Sequence, residues 1–302
     1  MTTRTPRQTS GAALVVAMLL TALGAAVAVQ MIVPLSGWLE REYRARDTQA
    51  SYTLADAAAS WALTVLAADA RLGPVDHYGE LWATPLPATP VEGGSIEGRI
   101  TDLQAGFNLN NVAPRGVRSA PNIALARSLF TQAGVPSGLV DALADSIDRD
   151  EVTEDGQSER QRYGRNLRNA PLRRFADLLE VPGFTEAHAR ALMEVTTVLP
   201  EATPINANTA SPTLIAAAFP GAAPDAVDRA IARRNQQPFA GAGDLAAAIG
   251  QPLPEGVFSA GTQYFAVEAV IRFERAAHRV QLQIARPPNA RPTVISRLIS
   301  NA

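Results

Sequence analysis

The segment LADSIDRDEVTEDGQSER (Leu143 to Arg160) gathers more groups capable of chemistry than any other part of the chain: Asp145, Asp148, Asp150, Glu151, Glu154, Asp155 and Glu159. Carboxylates bunched on a loop can supply several of the roughly six to eight oxygens that calcium takes. They can equally form a solvated acidic loop. The EF-hand spacing is not met, because Thr153 stands where that motif needs its glycine. Arg160, Arg162, Arg165 and Arg168 follow closely, and can pair with these acids or face a partner.

Other chemistry is sparse. The three histidines, His77, His188 and His278, are scattered, and no HExxH or GxSxG motif occurs. GAGDLAAAIG lacks the strand context and spacing of a dinucleotide loop. The absence of cysteine removes disulfides, thiolate metal sites and thiol nucleophiles. All 27 basic residues are arginine, which excludes Schiff-base chemistry and a P-loop lysine. The chain therefore reads as a non-enzyme. Two asparagine motifs, FNLNN and INANTASP, read as structural: asparagine tolerates left-handed turns, and Asn208 or Thr209 ahead of Pro212 reads as a helix start.

The elements that must position these groups begin with an apolar run. A basic, polar leader (residues 1–11) precedes a stretch, residues 12–33, in which only Thr21 and Gln30 are frankly polar. At about 1.5 Å per residue that stretch spans a bilayer of roughly 30 Å and exceeds the apolar core of an ordinary secretory signal. A cut at Gly11 would leave the helix on the mature chain; an uncut single-pass anchor is the alternative. Helical periodicity continues through Leu35, Leu39, Tyr43, Ala50, Leu54, Ala57, Ala58, Trp61, Val65 and Leu66. This predicts one rod to Leu72, kinked at Pro34 and stopped by Gly73-Pro74.

Residues 76–90 are Pro-rich and aromatic and read as a surface loop held by Tyr78 and Trp82. Alternation predicts strands at Ser95–Thr101, Tyr264–Arg275, His278–Arg286 and Thr293–Ile299, with a hairpin turn near Ala276-Ala277 and Phe107–Asn110 extending the sheet. Between them lies a helical block with a weak threefold repeat of helix, Gly-and-Pro turn and helix, around Leu129–Leu143, Leu178–Leu192 and Ile215–Ile231. Such helix-hairpin-helix shapes can bind phosphate backbones or serve as packing modules. A membrane-tethered nucleic-acid binder of a DNA-uptake type is thus the competing function. A net charge of −2 and turns carrying Phe184, Thr185, Ala222 and Ala223 argue against it.

The order of leader, long helix, strands, helical block and closing strands resembles the minor pseudopilin K of type II secretion systems, the GspK family. The resemblance is carried by VDHYGELWATPLPATPVEGGSIEGRITDLQAGFNLNN (Val75 to Asn111), LADSIDRDE (Leu143 to Glu151), LLEVPGFT (Leu178 to Thr185) and PINANTASPTLIAAAFPG (Pro204 to Gly221). It implies an α+β pseudopilin fold: a long N-terminal helix on a small antiparallel sheet (34–111 and 259–302) with a large all-α domain inserted at 112–258. It further implies cleavage between Gly11 and Ala12 by a prepilin peptidase, with methylation of the new N-terminus. Partners would be the minor pseudopilins I and J, the pseudopilus shaft, the inner membrane and secreted substrates, with most of the chain in the periplasm and no nucleic acid.

Most pseudopilins carry a glutamate as fifth residue after the cut; here that position is Val16, an absence for which protein K is known. The family also binds calcium around an IDxD…GxE pattern. That implies Asp148, Asp150 and Glu159 as ligands, with Gly156 in the loop, and Asp145 is expected as a further ligand. Contacts with neighbouring subunits are expected along the amphipathic half of the long helix, through Leu39, Tyr43, Ala50, Leu54, Ala57 and Trp61. Small residues such as Ala58 and Ala62 would let another helix approach.

Overall fold

The computed structural model describes residues 10–253, 255–273 and 276–301; the leader before Ser10 lies outside them. Helix α1, Ser10–Asp69, is one 60-residue element, about 90 Å long at 1.5 Å per residue. Within it, Gly11–Met31 has a mean hydropathy of 2.5 and none of its surface is buried, so it is long and apolar enough to cross a membrane. The helical assignment runs unbroken through position 34, where a kink was expected. It ends three residues early, because Leu72 N donates to Asp69 O in a tightened last turn.

Five antiparallel strands form the main sheet: β1 (Leu86–Val91), β2 (Gly94–Asp102), β7 (Tyr264–Phe273), β8 (Ala276–Ala285) and β9 (Thr293–Asn301), in that spatial order. Inward-facing Ile100, Phe265, Val267, Ala269, Ile271, Val280, Leu282 and Ile284 alternate with outward residues and meet Ala55, Ala58, Ala59, Ala62 and Leu66 of α1. The alanines recur at three- and four-residue spacing, which brings the helix axis close to the sheet. Trp82 caps this core, edge-on to Phe265 at 5.2 Å.

Three sequence readings change here. The supposed loop at 76–90 contains β1, an edge strand whose Pro87 and Pro90 disguise it in sequence and protect the open edge. Ala276 and Ala277 pair with Phe273 and Arg272 inside β8 and are not the hairpin turn, whose linking residues lie outside those described. Ala58 and Ala62 are covered by the protein's own sheet and offer no surface to another helix. Gly94 is fixed by close approach, since a Cβ there would fall 1.9 Å from Arg272 O.

After β2 the chain leaves the sheet and returns at β7, its hydrogen-bonded neighbour. The excursion has its own core, from Phe107 through Phe130, Leu143 and Leu214 to Phe258. It holds α2 (Ala120–Gln132), α3 (Leu139–Ile147), α4 (Glu159–Tyr163), α5 (Glu186–Leu192), α6 (Pro212–Ala218), α7 (Pro224–Gln236) and α8 (Ala242–Ile249). It is not wholly helical. β3 (Phe107–Asn108) pairs in parallel with β4 (Thr196–Thr197), and β5 (Ile205–Asn206) with β6 (Phe258–Ser259). Phe107–Asn110 therefore does not extend the main sheet.

The asparagine motifs sit on these two miniature ladders and repeat the same bonding. Asn108 Oδ1 accepts from Asn110 N, and Asn206 Oδ1 from Asn208 N. Asn110 donates to Leu172 O and Leu199 O while accepting from Leu172 N. Asn208 donates to Phe239 O and Ala260 O while accepting from Phe239 N. Each N-x-N unit thus clamps a distant strand of chain through buried backbone groups that would otherwise be unsatisfied. Neither asparagine pair occupies a left-handed conformation, and the helix start expected at Asn208 or Thr209 is at Ser211, whose Oγ accepts from Leu214 N.

Candidate metal centre

Helix α3 ends at Ile147, and Asp148 leaves it in an extended conformation. The chain then folds back on itself: Val152 bridges Ser158, Thr153 N donates to Gln157 O, and Gly156, at φ +81°, supplies the left-handed turn. Glu159 N donates to Glu151 O at 3.0 Å, so α4 begins beside the place where α3 stopped. The spacing of 148, 150 and 159 thereby becomes one cluster, in which Asp148, Asp150 and Glu159 offer carboxylate oxygens all within 4.8 Å of one another.

Asp148 is 0% exposed and Glu159 2%, whereas Asp150 is exposed. Neither Asp148 oxygen nor Glu159 Oε1 has a hydrogen-bond partner. Buried carboxylates without partners are strongly unfavourable unless neutralised by a proton or a cation. Burial, reinforced by Asp150, Asp145 and Glu159, pushes the Asp148 carboxyl up to about 7, against a weaker pull from Arg118. Burial and then Asp145 push Glu159 up to about 7, opposed by its hydrogen bond with Asn169. Asn169 also donates to Asp150 O, tying the 164–174 segment to the cluster. An all-oxygen donor set with orphaned anionic oxygens suits a hard cation such as calcium and not a soft one.

Asp145 is a correction to the expected ligand set. One of its oxygens accepts from Arg118 and the other from Tyr163 Oη, at 2.7 Å. It stands beside the cluster as a bonded neighbour. Arg118 is the residue that sequence reasoning missed. It bonds Asp141, Asp145 and Glu154 and lies 3.8 Å from Asp148, so it neutralises the acids around the centre without satisfying Asp148. Of the arginines expected near the acids, Arg162 pairs with Asp155, Arg168 pairs with Asp177, and Arg165 donates to Glu180 O.

Gly11 and Ala12 lie exposed near the start of α1. Leu39, Tyr43 and Ala57 are exposed on α1, while Leu54 and Trp61 pack partly against the sheet; the Ala50 side chain lies outside the described residues. Ala57 and Trp61 line a cleft of about 270 Å³ between α1 and the β1–β2 edge, with Leu86 and Ile96 opposite.

Residues 105–201 and 205–268 match the two sequence models of "Type II secretion system (T2SS), protein K". The boundary falls between the two N-x-N units, one in each match. The chain is 33% identical to type II secretion system protein K of Pseudomonas aeruginosa over 228 residues, which covers 67% of this chain and 66% of that protein. With protein K of Klebsiella pneumoniae it shares 30% identity over 236 residues, or 70% of each. Its fold is similar to a chain in the crystal structure of the GspK-GspI-GspJ complex from enterotoxigenic Escherichia coli (TM-score 0.68, 22% identity), covering 84% of this chain and 99% of that one. These likenesses follow the length and order of the motifs and elements described above, and on them the chain belongs to the protein K family of type II secretion systems, whose members are minor pseudopilins.

Proposed function

We propose that this protein sits at the tip of a type II secretion pseudopilus, assembles there with minor pseudopilins I and J, and supports export of folded proteins from the periplasm. The observation that carries the reading is the excursion between β2 and β7, which adds a second core to a small pseudopilin head. Shaft subunits need heads that leave room for others above them in a continuing helical array, so a subunit this bulky belongs at an end. Val16 supports the same placement: it offers no carboxylate to pair with another subunit's N-terminal amine. The excursion is read as an inserted domain with helix-hairpin-helix-shaped packing units, and the similarity to the protein K relatives gives nucleic-acid binding no support. Labelled protein is expected at one end of pseudopili assembled with the major subunit, and label spread along the shaft would end the tip reading.

The anchor would be the apolar stretch from Ala12 onward, in the inner membrane and retained after cleavage. N-terminal sequencing of membrane-extracted protein is expected to begin at Ala12, reading Ala-Ala-Leu-Val-Val; a mature chain starting well beyond the apolar run would mean ordinary signal removal. Leu39, Tyr43 and Ala57 are the exposed positions through which α1 would meet neighbouring subunits. Asp148, Asp150 and Glu159 would hold calcium, which supplies the positive charge their buried oxygens lack and locks the 148–159 turn.

A further inference from the structure

At the other end of α1, a second set of acids closes the junction between the sheet and the helical excursion. Asp69 lies in the last turn of the helix and Asp76 in the loop after it; they are 4% and 2% exposed. Arg286, at the end of β8, is buried between them, bonding Asp69 Oδ2 and Asp76 Oδ1. Its guanidinium lies 4.7 Å over the Phe265 ring. Glu80 completes the group, with Oε2 accepting from His77 N and Trp82 Nε1.

The charges do not balance. Three carboxylates face one guanidinium, and Asp69 Oδ1 is buried with no hydrogen-bond partner. No basic residue stands in the last turn of α1, where the partial negative charge of a helix C-terminus favours a cation. Asp69, Asp76 and Glu80 nevertheless offer oxygens that all lie within 4.8 Å of one another, a separation that a single calcium ion can span. Asp76 and Arg286 also line an open groove of about 790 Å³ with Gly73, Gly261 and Thr262, which gives an ion a route in.

We propose that Asp69, Asp76 and Glu80 form a second divalent-cation site, selective for calcium, distinct from the cluster at Asp148. Asp76 O accepts from Asn206 of the excursion, and Asp76 Oδ2 from Thr262 N, just before β7. An ion here therefore joins the end of the membrane-anchored helix to both the sheet and the excursion. It stiffens the joint through which the head is held on its stalk.

Trp82 makes the site separately observable, because its indole is bonded to a proposed ligand and can transfer excitation to bound terbium over short distances. The test uses the full chain in detergent, stripped with chelator, carrying Asp148→Asn to disable the other cluster. This variant is expected to bind calcium in equilibrium dialysis and to give tryptophan-sensitised terbium emission that calcium competes away. Adding Glu80→Gln should weaken calcium binding at least tenfold, and adding Trp82→Phe should remove most of the emission while leaving calcium binding. Glu80 is only partly buried, so Glu80→Gln disturbs the fold less than Asp69→Asn would. Absence of calcium binding in Asp148→Asn overturns the proposal, with a proton shared between Asp69 and Asp76 as the remaining neutraliser. Calcium binding unaffected by Glu80→Gln overturns it as well.

Discussion

Calcium at about a hundred times the dissociation constant of the Asp148 cluster is expected to raise the melting temperature of the metal-stripped protein by roughly 5–10 °C through that cluster, and Asp148→Asn to remove this part of the shift. Preferential binding at that concentration contributes about 2.7 kcal/mol, and a unit of 150–250 residues moves by roughly 2–4 °C per kcal/mol. The same substitution should make the metal-free protein more stable than the wild type at about pH 8, because it removes a buried charge with no hydrogen-bond partner. The pH dependence has a definite sign. Asp148 and Glu159 rise from 3.8 and 4.5 to about 7, so between those values the fold binds more protons than the unfolded chain. Their contribution to metal-free stability is complete below about pH 4 and is lost as pH rises through about 7. Calcium must displace those protons, so its stabilising effect grows over the same interval. Calorimetry in chelator and in calcium, at about pH 5 and about pH 8, reads both trends. A shift that neither Asp148→Asn nor Glu159→Gln reduces would remove the ion from this cluster.

Asn208→Ala and Asn110→Ala are each expected to cost roughly 3–5 kcal/mol, measured by urea denaturation. Either change strands a backbone N–H and its companion carbonyls in the interior, each at about 1–3 kcal/mol. Replacement by Asp should be worse than by Ala, since a carboxylate turns acceptors toward the carbonyls that the amide was donating to. Equal costs for Ala and Asp would mean that these side chains only fill space. Costs under about 1 kcal/mol would remove the N-x-N units from the account of what holds the excursion together.

Features that depend on short-range pattern are legible in the chain before it folds. The apolar run before Pro34, the alternation in Ser95–Thr101 and Tyr264–Phe273, and the alanine spacing on α1 each declare an element, because periodicity and solvent act on neighbouring residues. The seven acids of residues 145–159 leave a solvated loop and a metal site both open, and only the family resemblance singles out Asp148, Asp150 and Glu159, which one local turn, closed by Gly156, brings together. Long-range packing sets the remainder. Leu86–Val91 is a strand only because β2 offers it an edge, and its prolines argue otherwise in isolation. Asp145 looks like a ligand until Arg118, far upstream, takes one of its oxygens. The acids at Asp69 and Asp76 carry no motif at all. They are brought together because β8 delivers Arg286 across 217 and 210 residues of chain, to a junction where buried charge must be balanced by whatever packs beside it.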